Sequence, residues 1–436
     1  MKEISKTIYK VSLPTMIHML LESSYHFFDT LWISKLGSLA LAGATGASFF
    51  VWMIFSATTL VEVGVNSLVA RYYGAKDFEK MKEIAFQGRN LGIIISFFIS
   101  LLGIFFIESS LKKTGLEEIV VYNAMFFLFP VFMGLPFFTM NLTNFATFRG
   151  VGDTKTPLYI LIGQILLNII LVPVFIFYFN LGISGATFAT LTCQILSFFV
   201  GDFLLQKKEL LKNTSKKIDW EVYKEISKIG SPIAVNGIIF CIVYVFLTAV
   251  ISPFGSEAIA ALGIGHRAES LTYCISVGFG IAATTLVGQS IGEKNYHKAK
   301  STSWLINLYA GSIVFILSMM ILIFRDSLAG IFTNDIKIIE YASQYLTIIA
   351  IAETFMAFEI VMEGVFSGYG NTLPATIIGM PLNIGRVPLA YFLSQIYGVN
   401  GIWIAIGFTT FAKGITLLIW FYFYQLKFKS LKTIEQ

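Results

Sequence analysis

Four ionisable side chains, His18, Glu22, His26 and Asp29, punctuate an otherwise apolar run that opens at Pro14 and reads Pro-Thr-Met-Ile-His-Met-Leu-Leu-Glu-Ser-Ser-Tyr-His-Phe-Phe-Asp. Their spacings of 4, 4 and 3 bring them within roughly 80° of one another on a helix. A helix with such a stripe inside hydrocarbon needs a wet cavity or polar partners along that face, and intramembrane acids mark ion or substrate paths. The alternative is a hydrogen-bonded polar seam between helices. Low dielectric disfavours the ionised form of a carboxyl, so Asp29 could load a proton from one side and release it on the other. His18 and His26 flank Glu22 at a metal-like i, i+4 spacing. Three ligands on one helix make a poor closed site, so proton relay or partnering of Glu22 is the stronger reading.

The elements that must position this stripe are membrane spans. The chain has 436 residues, of which 56% are hydrophobic and only 13% charged. Soluble proteins carry about 25% charged residues, so this chain lacks the charge to clothe itself in water. Twelve apolar stretches of about 20 residues, the length that crosses a bilayer, are expected, centred near residues 22, 58, 98, 131, 168, 194, 240, 278, 313, 352, 385 and 413. The fold class is therefore all-α and polytopic. The start of the chain is read as retained, not as a signal peptide.

Numbering loops alternately from the N-terminus puts 23 Lys and Arg on one side and 6 on the other, with Arg386 and Lys413 inside spans. That bias predicts cytoplasmic N- and C-termini in the cell's inner (plasma) membrane, and it speaks of orientation rather than nucleic-acid binding. The three cysteines, Cys193, Cys241 and Cys274, all fall in spans and imply neither a disulfide framework nor a metal site. Gly-x-x-x-x-Gly-Lys-Ser/Thr is absent, so no phosphate-binding loop powers the protein. No cofactor is expected beyond a coupling ion, and a monomer is expected.

Laying the chain on itself with Pro14 over Pro232 superimposes further landmarks at one constant offset. Gly37 falls on Gly255, Leu68-Val69 on Leu286-Val287, Gly74 on Gly292, and Phe148-Arg-Gly-Val-Gly-Asp-Thr on Phe366-Ser-Gly-Tyr-Gly-Asn-Thr. With small gaps, Leu167-Asn168 and Pro173 match Leu382-Asn383 and Pro388, and Gly182 and Gly185 match Gly398 and Gly401. The chain thus divides into a lobe over 1–205, a basic cytoplasmic linker over 206–228 and a lobe over 229–436. Six spans in each half predict two lobes related by a pseudo-two-fold along the membrane normal, the parallel-repeat layout of transporters that rock around a midplane cavity.

These motifs resemble the multidrug and toxic compound extrusion (MATE) family. The resemblance rests on Phe148-Arg-Gly-Val-Gly-Asp-Thr-Lys-Thr-Pro, Val287-Gly-Gln-Ser-Ile-Gly-Glu-Lys-Asn, its partner Val69-Ala-Arg-Tyr-Tyr-Gly-Ala-Lys-Asp, and Asp29-Thr-Leu-Trp-Ile-Ser-Lys-Leu-Gly. It runs from Pro14 to about Gly414 and implies efflux of substrate in exchange for protons or sodium. By the same resemblance Asp29 is the cation-linked acid, Asn141, Asn144, Asn168 and Thr190 are its polar neighbours, and Pro14 is where the first helix bends. Relatives often carry a second acid four residues after the match to Asn168; here Val172 stands there. Sodium, a hard cation, wants several oxygens, so the balance tips to protons.

Other intramembrane charges remain open. Glu269, beside His266 and Arg267, is either an end-of-helix salt bridge or a cavity-facing carboxylate. Glu359 or Glu363 is expected to pair with Arg386, and Glu62 to join the polar cluster of the first lobe. Glu22, His26, Asn141, Asn144, Glu62 and Glu269 are the expected substrate-facing groups. Aromatic side chains add greasy walls for flat cations. Intramembrane acids outnumber bases, which favours amphipathic organic cations as cargo over the diphosphate headgroups that a flippase for lipid-linked saccharides or cell-wall precursors would carry. A membrane enzyme lacks a nucleophile-base-orienter set, and a channel does not require two repeated lobes.

Overall fold

The computed structural model describes residues 2–113, 117–211 and 217–432, with the backbone alone at 26–28 and 426–432. These residues fold into twelve α-helices: α1 (Lys2–Ser34), α2 (Ser38–Gly74), α3 (Phe78–Lys112), α4 (Glu118–Gly150), α5 (Lys155–Pro173), α6 (Gly182–Lys207), α7 (Trp220–Ile251), α8 (Ser256–Gly292), α9 (Tyr296–Phe332), α10 (Ile336–Gly368), α11 (Leu373–Tyr397) and α12 (Val399–Lys432). A π-helical turn, Val174–Tyr178, extends α5, and a 3-10 turn, Ser252–Phe254, follows α7. Eleven helices are long and apolar enough among the described residues to cross a bilayer unaided; α1, whose apolar run the acids and histidines interrupt, is not one of them.

The repeat is visible in the backbone. Gly37 and Gly255 turn at φ 109° and 98°, Gly152 and Gly370 at 86° and 74°, and Lys76 and Lys294 at 60° and 56°. Each pair keeps the offset that sets Pro14 on Pro232 and lies at the same inter-helix corner, in the left-handed region that L side chains avoid. The caps repeat as well: Asp77 accepts from the Lys80 amide, and Asn295, its shifted copy, accepts from the Lys298 amide. Such short polar caps satisfy amides that a helix start leaves open. At the Gly152 corner burial alone would push the Asp153 carboxyl up. Hydrogen bonds from Lys208 and Thr156 outweigh that and hold it below its ordinary range.

Packing sorts the chain into two compact units, residues 20–235 and residues 1–19 with 236–436. The sequence places its division in the 206–228 linker, whereas the packing boundaries cut α1 after Met19 and α7 after Val235. In the first unit α4 is central, packed by α2, α3 and α6, and the leading turns of α7 join it. Ile226 fills the notch left by Gly64, and Gly230 lies against the Leu60 carbonyl. In the second unit α10 is central, packed by α8, α9 and α12. The leading turns of α1 join that one: Met16 lies against Gly278, Ser5 and Tyr309 share a hydrogen bond of 2.7 Å, and Tyr9 stacks on Tyr309. Hydrophobic periodicity shows that a helix has an apolar face, but not which bundle that face joins.

Without a hydrophobic drive between helices in lipid, small residues set how closely they pack. The α8–α10 seam shows this. A Cβ added at Gly364 would lie 2.0 Å from the Gly280 carbonyl oxygen, and Thr284 donates to the Gly364 carbonyl at 3.0 Å. Gly364→Ala must push the backbones apart and is expected to cost ~1–3 kcal/mol, read as a lower melting temperature in detergent. Gly163→Ala, which meets open space, should change stability by less than ~1 kcal/mol.

Candidate functional site

In the first unit α1, α5 and α6 assemble the acid-centred group expected from the sequence. Thr190 donates to Asp29 Oδ2 at 3.4 Å, Asn168 donates to the Thr190 hydroxyl at 3.2 Å, and Asn168 donates to the Tyr25 hydroxyl at 3.0 Å. Asp29 Oδ1 is buried with no hydrogen-bond partner. A buried acceptor left open costs free energy, so this oxygen is suited to a proton or a cation. Tyr25, in sequence one of many aromatics, completes the network.

Asn141 and Asn144 sit on α4, apart from that relay. Asn141 donates to Gln194 at 3.0 Å and to Ser197 at 2.8 Å, both on α6, while Asn144 Nδ2 is buried without a partner beside Gly201. Glu62 needs a correction. It accepts from Arg149 at 2.7 Å and is therefore a counterion rather than an open substrate-facing acid. Arg149, counted in sequence as a loop charge, is 2% exposed in the last turn of α4, and a buried guanidinium demands a partner. Glu22 lies within electrostatic reach of both Arg149 and Glu62. The side chain of His26 lies outside the described residues. His18 is buried, on the second unit's share of α1.

The second unit holds a different set. Lys413 of α12, 4% exposed, donates to Glu359 at 2.6 Å. The expected pairing of Arg386 with Glu359 or Glu363 is thus replaced. Arg386, 1% exposed, donates to the Thr409 hydroxyl at 2.8 Å and the Thr410 hydroxyl at 3.2 Å, and Glu363 accepts from Asn236 at 3.2 Å. Glu359 and Lys413 lie far apart in the chain, at a separation where sequence spacing carries no pairing signal. Glu269 lies within electrostatic reach of Arg386 and Tyr345, away from the Arg267 beside it in sequence. Its Oε1, His266 Nε2 and the Tyr345 hydroxyl are buried without hydrogen-bond partners. Glu353 accepts from Thr272. Such groups can exchange protons and attract cations.

Comparison with known proteins places this arrangement. The MatE family model matches residues 14–174 and again residues 232–392. The two matches open on Pro14 and Pro232, the same two prolines that the internal repeat superimposes. Probable multidrug resistance protein NorM of Thermotoga maritima is 26% identical over 422 residues, covering 92% of this chain and 89% of that protein. The FAD transporter of Shewanella oneidensis is 25% identical over 421 residues, covering 94% and 93%. A crystal structure of MATE in the straight conformation superposes with a TM-score of 0.90 at 24% identity, covering 99% of this chain and 97% of that one.

The Lys413–Glu359 pair generates a double-mutant test. Lys413→Met leaves a buried carboxylate unpaired and is expected to cost ~3–5 kcal/mol. Lys413→Met with Glu359→Leu should recover most of that loss, read by thermal unfolding in detergent.

Proposed function

The chain belongs to the MatE family, a family of membrane transporters, and from that premise we propose that it is a secondary antiporter exporting amphipathic organic cations in exchange for protons. The observation that carries this reading is the half-satisfied Asp29 carboxylate, one oxygen held by Thr190 and the other buried and open. A carboxyl in that setting gains or loses a proton as its access to water changes, and with it the charge that an outgoing cation would replace. Pro14 removes one backbone hydrogen bond from α1, so the helix can bend where the leading turns give way to the acid-bearing turns. Binding energy that differs between the bent and straight helix is what couples the ion to the cargo. Protons are preferred to sodium because Val172 leaves the Asp29 group poor in oxygens.

The excess of acids over bases in both units supports a cationic cargo. Among the described residues the middle turns of the second unit carry Glu269, Glu353, Glu359 and Glu363 against Arg386 and Lys413, and Lys413 is already engaged. An anionic cargo such as a lipid diphosphate would find few uncommitted cations. We read the protein as working alone in the plasma membrane, with both termini cytoplasmic, and with alternating access provided by its two lobes.

Asp29→Asn is expected to abolish ethidium efflux from proteoliposomes driven by an imposed proton gradient while leaving the melting temperature within a few degrees of the parent. An imposed sodium gradient should drive no efflux in the parent protein. Undiminished proton-driven efflux in Asp29→Asn would exclude the role.

A further inference from the structure

Two asparagines matched by the repeat, Asn168 on α5 and Asn383 on α11, do related work in their units. Asn168 reaches the Asp29 carboxylate through one intermediary, Thr190. Asn383 also reaches a carboxylate through one intermediary: its Nδ2 donates to Asn236 Oδ1 at 3.2 Å, and Asn236 Nδ2 donates to Glu363 Oε1 at 3.2 Å. Every donor in this second chain points toward Glu363. The intermediary, Asn236, is on α7, one turn after Pro232, the copy of Pro14.

The surroundings are built to hold that amide. Asn236 is 8% exposed and Asn383 1%. A Cβ at Gly379, one turn before Asn383 on α11, would lie 2.9 Å from Asn236 Nδ2 and 3.0 Å from its Oδ1. A side chain there would make the Asn236 head shift from its place between Asn383 and Glu363. Asn383 Oδ1, on the same buried amide, has no partner. An open acceptor thus stands one side chain away from a carboxylate.

Charge makes Glu363 the responsive member. Lys413 of α12 spends its ammonium on Glu359, one turn away on α10. Arg386 of α11 donates to Thr409 and Thr410. From α8, Tyr273 is within electrostatic reach of Glu363, and Cys274 and Cys241 of α7 lie close to Tyr273. On α9 no charged residue falls between Lys300 and Arg325. Glu363 therefore faces a like charge and an already committed ammonium, with an amide as its hydrogen-bond donor. It remains half-buried.

We propose that Glu363 is a second proton-exchanging carboxylate, which sets the hold on α7 through Asn236. A proton from water adds to one carboxylate oxygen and later returns to water, with no other bond made or broken. While Glu363 is ionised, the bond from Asn236 is charge-assisted and strong; once neutral, the bond is ordinary, roughly half as strong. The grip on α7 just past Pro232 thus tightens and loosens with the proton. This assignment goes beyond the Asp29 reading and stands without it.

Infrared spectra of the intact protein in phosphatidylethanolamine–phosphatidylglycerol vesicles, titrated between about pH 5 and about pH 9, test it through the carboxylic-acid C=O stretch. Glu363→Gln should remove one titrating band and leave the band that Asp29→Asn removes. Asn236→Ala should keep the Glu363 band but move its midpoint about tenfold in proton concentration, the worth of one hydrogen bond to a charged group. Band intensities unchanged by Glu363→Gln, or a midpoint unmoved by Asn236→Ala, would overturn the proposal. Asn236→Ala decides alone if Glu363→Gln fails to insert. Glu363→Gln removing only the band that Asp29→Asn removes would overturn it as well, whereas an Asp29→Asn spectrum identical to the parent's would count against the Asp29 reading alone.

Discussion

Hydrocarbon tolerates a charge only beside its opposite or beside water, and both units of this chain carry more carboxylates than cations in the middle turns of their helices. In the first, Glu22, Asp29 and Glu62 stand against Arg149; in the second, four glutamates stand against Arg386 and Lys413. Arg149 pairs with Glu62 and Lys413 with Glu359, while Arg386 donates to two neutral threonine hydroxyls and keeps Glu269 within electrostatic reach. What remains is negative charge that must be met by protons or by cations from outside. Helix packing, the polar relays and the glycine notches are arranged around that imbalance.

The two halves share a scaffold and differ in chemistry. Corners, caps and the glycine at the end of the central helix recur at the repeat's constant offset, because turn geometry depends on a few backbone positions. The charged groups do not recur. Leu247, fully buried, occupies the place of Asp29, and Phe145 the place of Glu363. One helical framework thus carries an acid on its first helix in one unit and on its central helix in the other.

How much was legible follows the same line. Span positions and repeat landmarks depend on residue type at a given spacing and could be read directly. The grouping of Asp29 with Asn168 and Thr190 was available because family resemblance ties those positions together. Three features were not legible. Arg149 looks like a loop charge until α4 is seen to run through it to Gly150. Lys413 and Glu359 meet only because α10 and α12 pack side by side. The boundaries inside α1 and α7 depend on which bundle receives each helix's leading turns, and no periodicity encodes a destination.

Those boundaries bear on how the polypeptide is assembled. Residues 1–19 leave the ribosome well before the rest of their unit, which begins at Asn236, so Ser5 must wait for a long stretch of chain to follow before it meets Tyr309. The opposite half needs the opening turns of α7 before Ile226 can close over Gly64. Residues 20–235 form their bundle from one contiguous stretch, whereas the other bundle joins residues 1–19 to 236–436, and such long-range closure slows folding. During synthesis the leading segment of α1 presents an unmatched face to the bilayer or to the insertion machinery until residues 236–436 arrive.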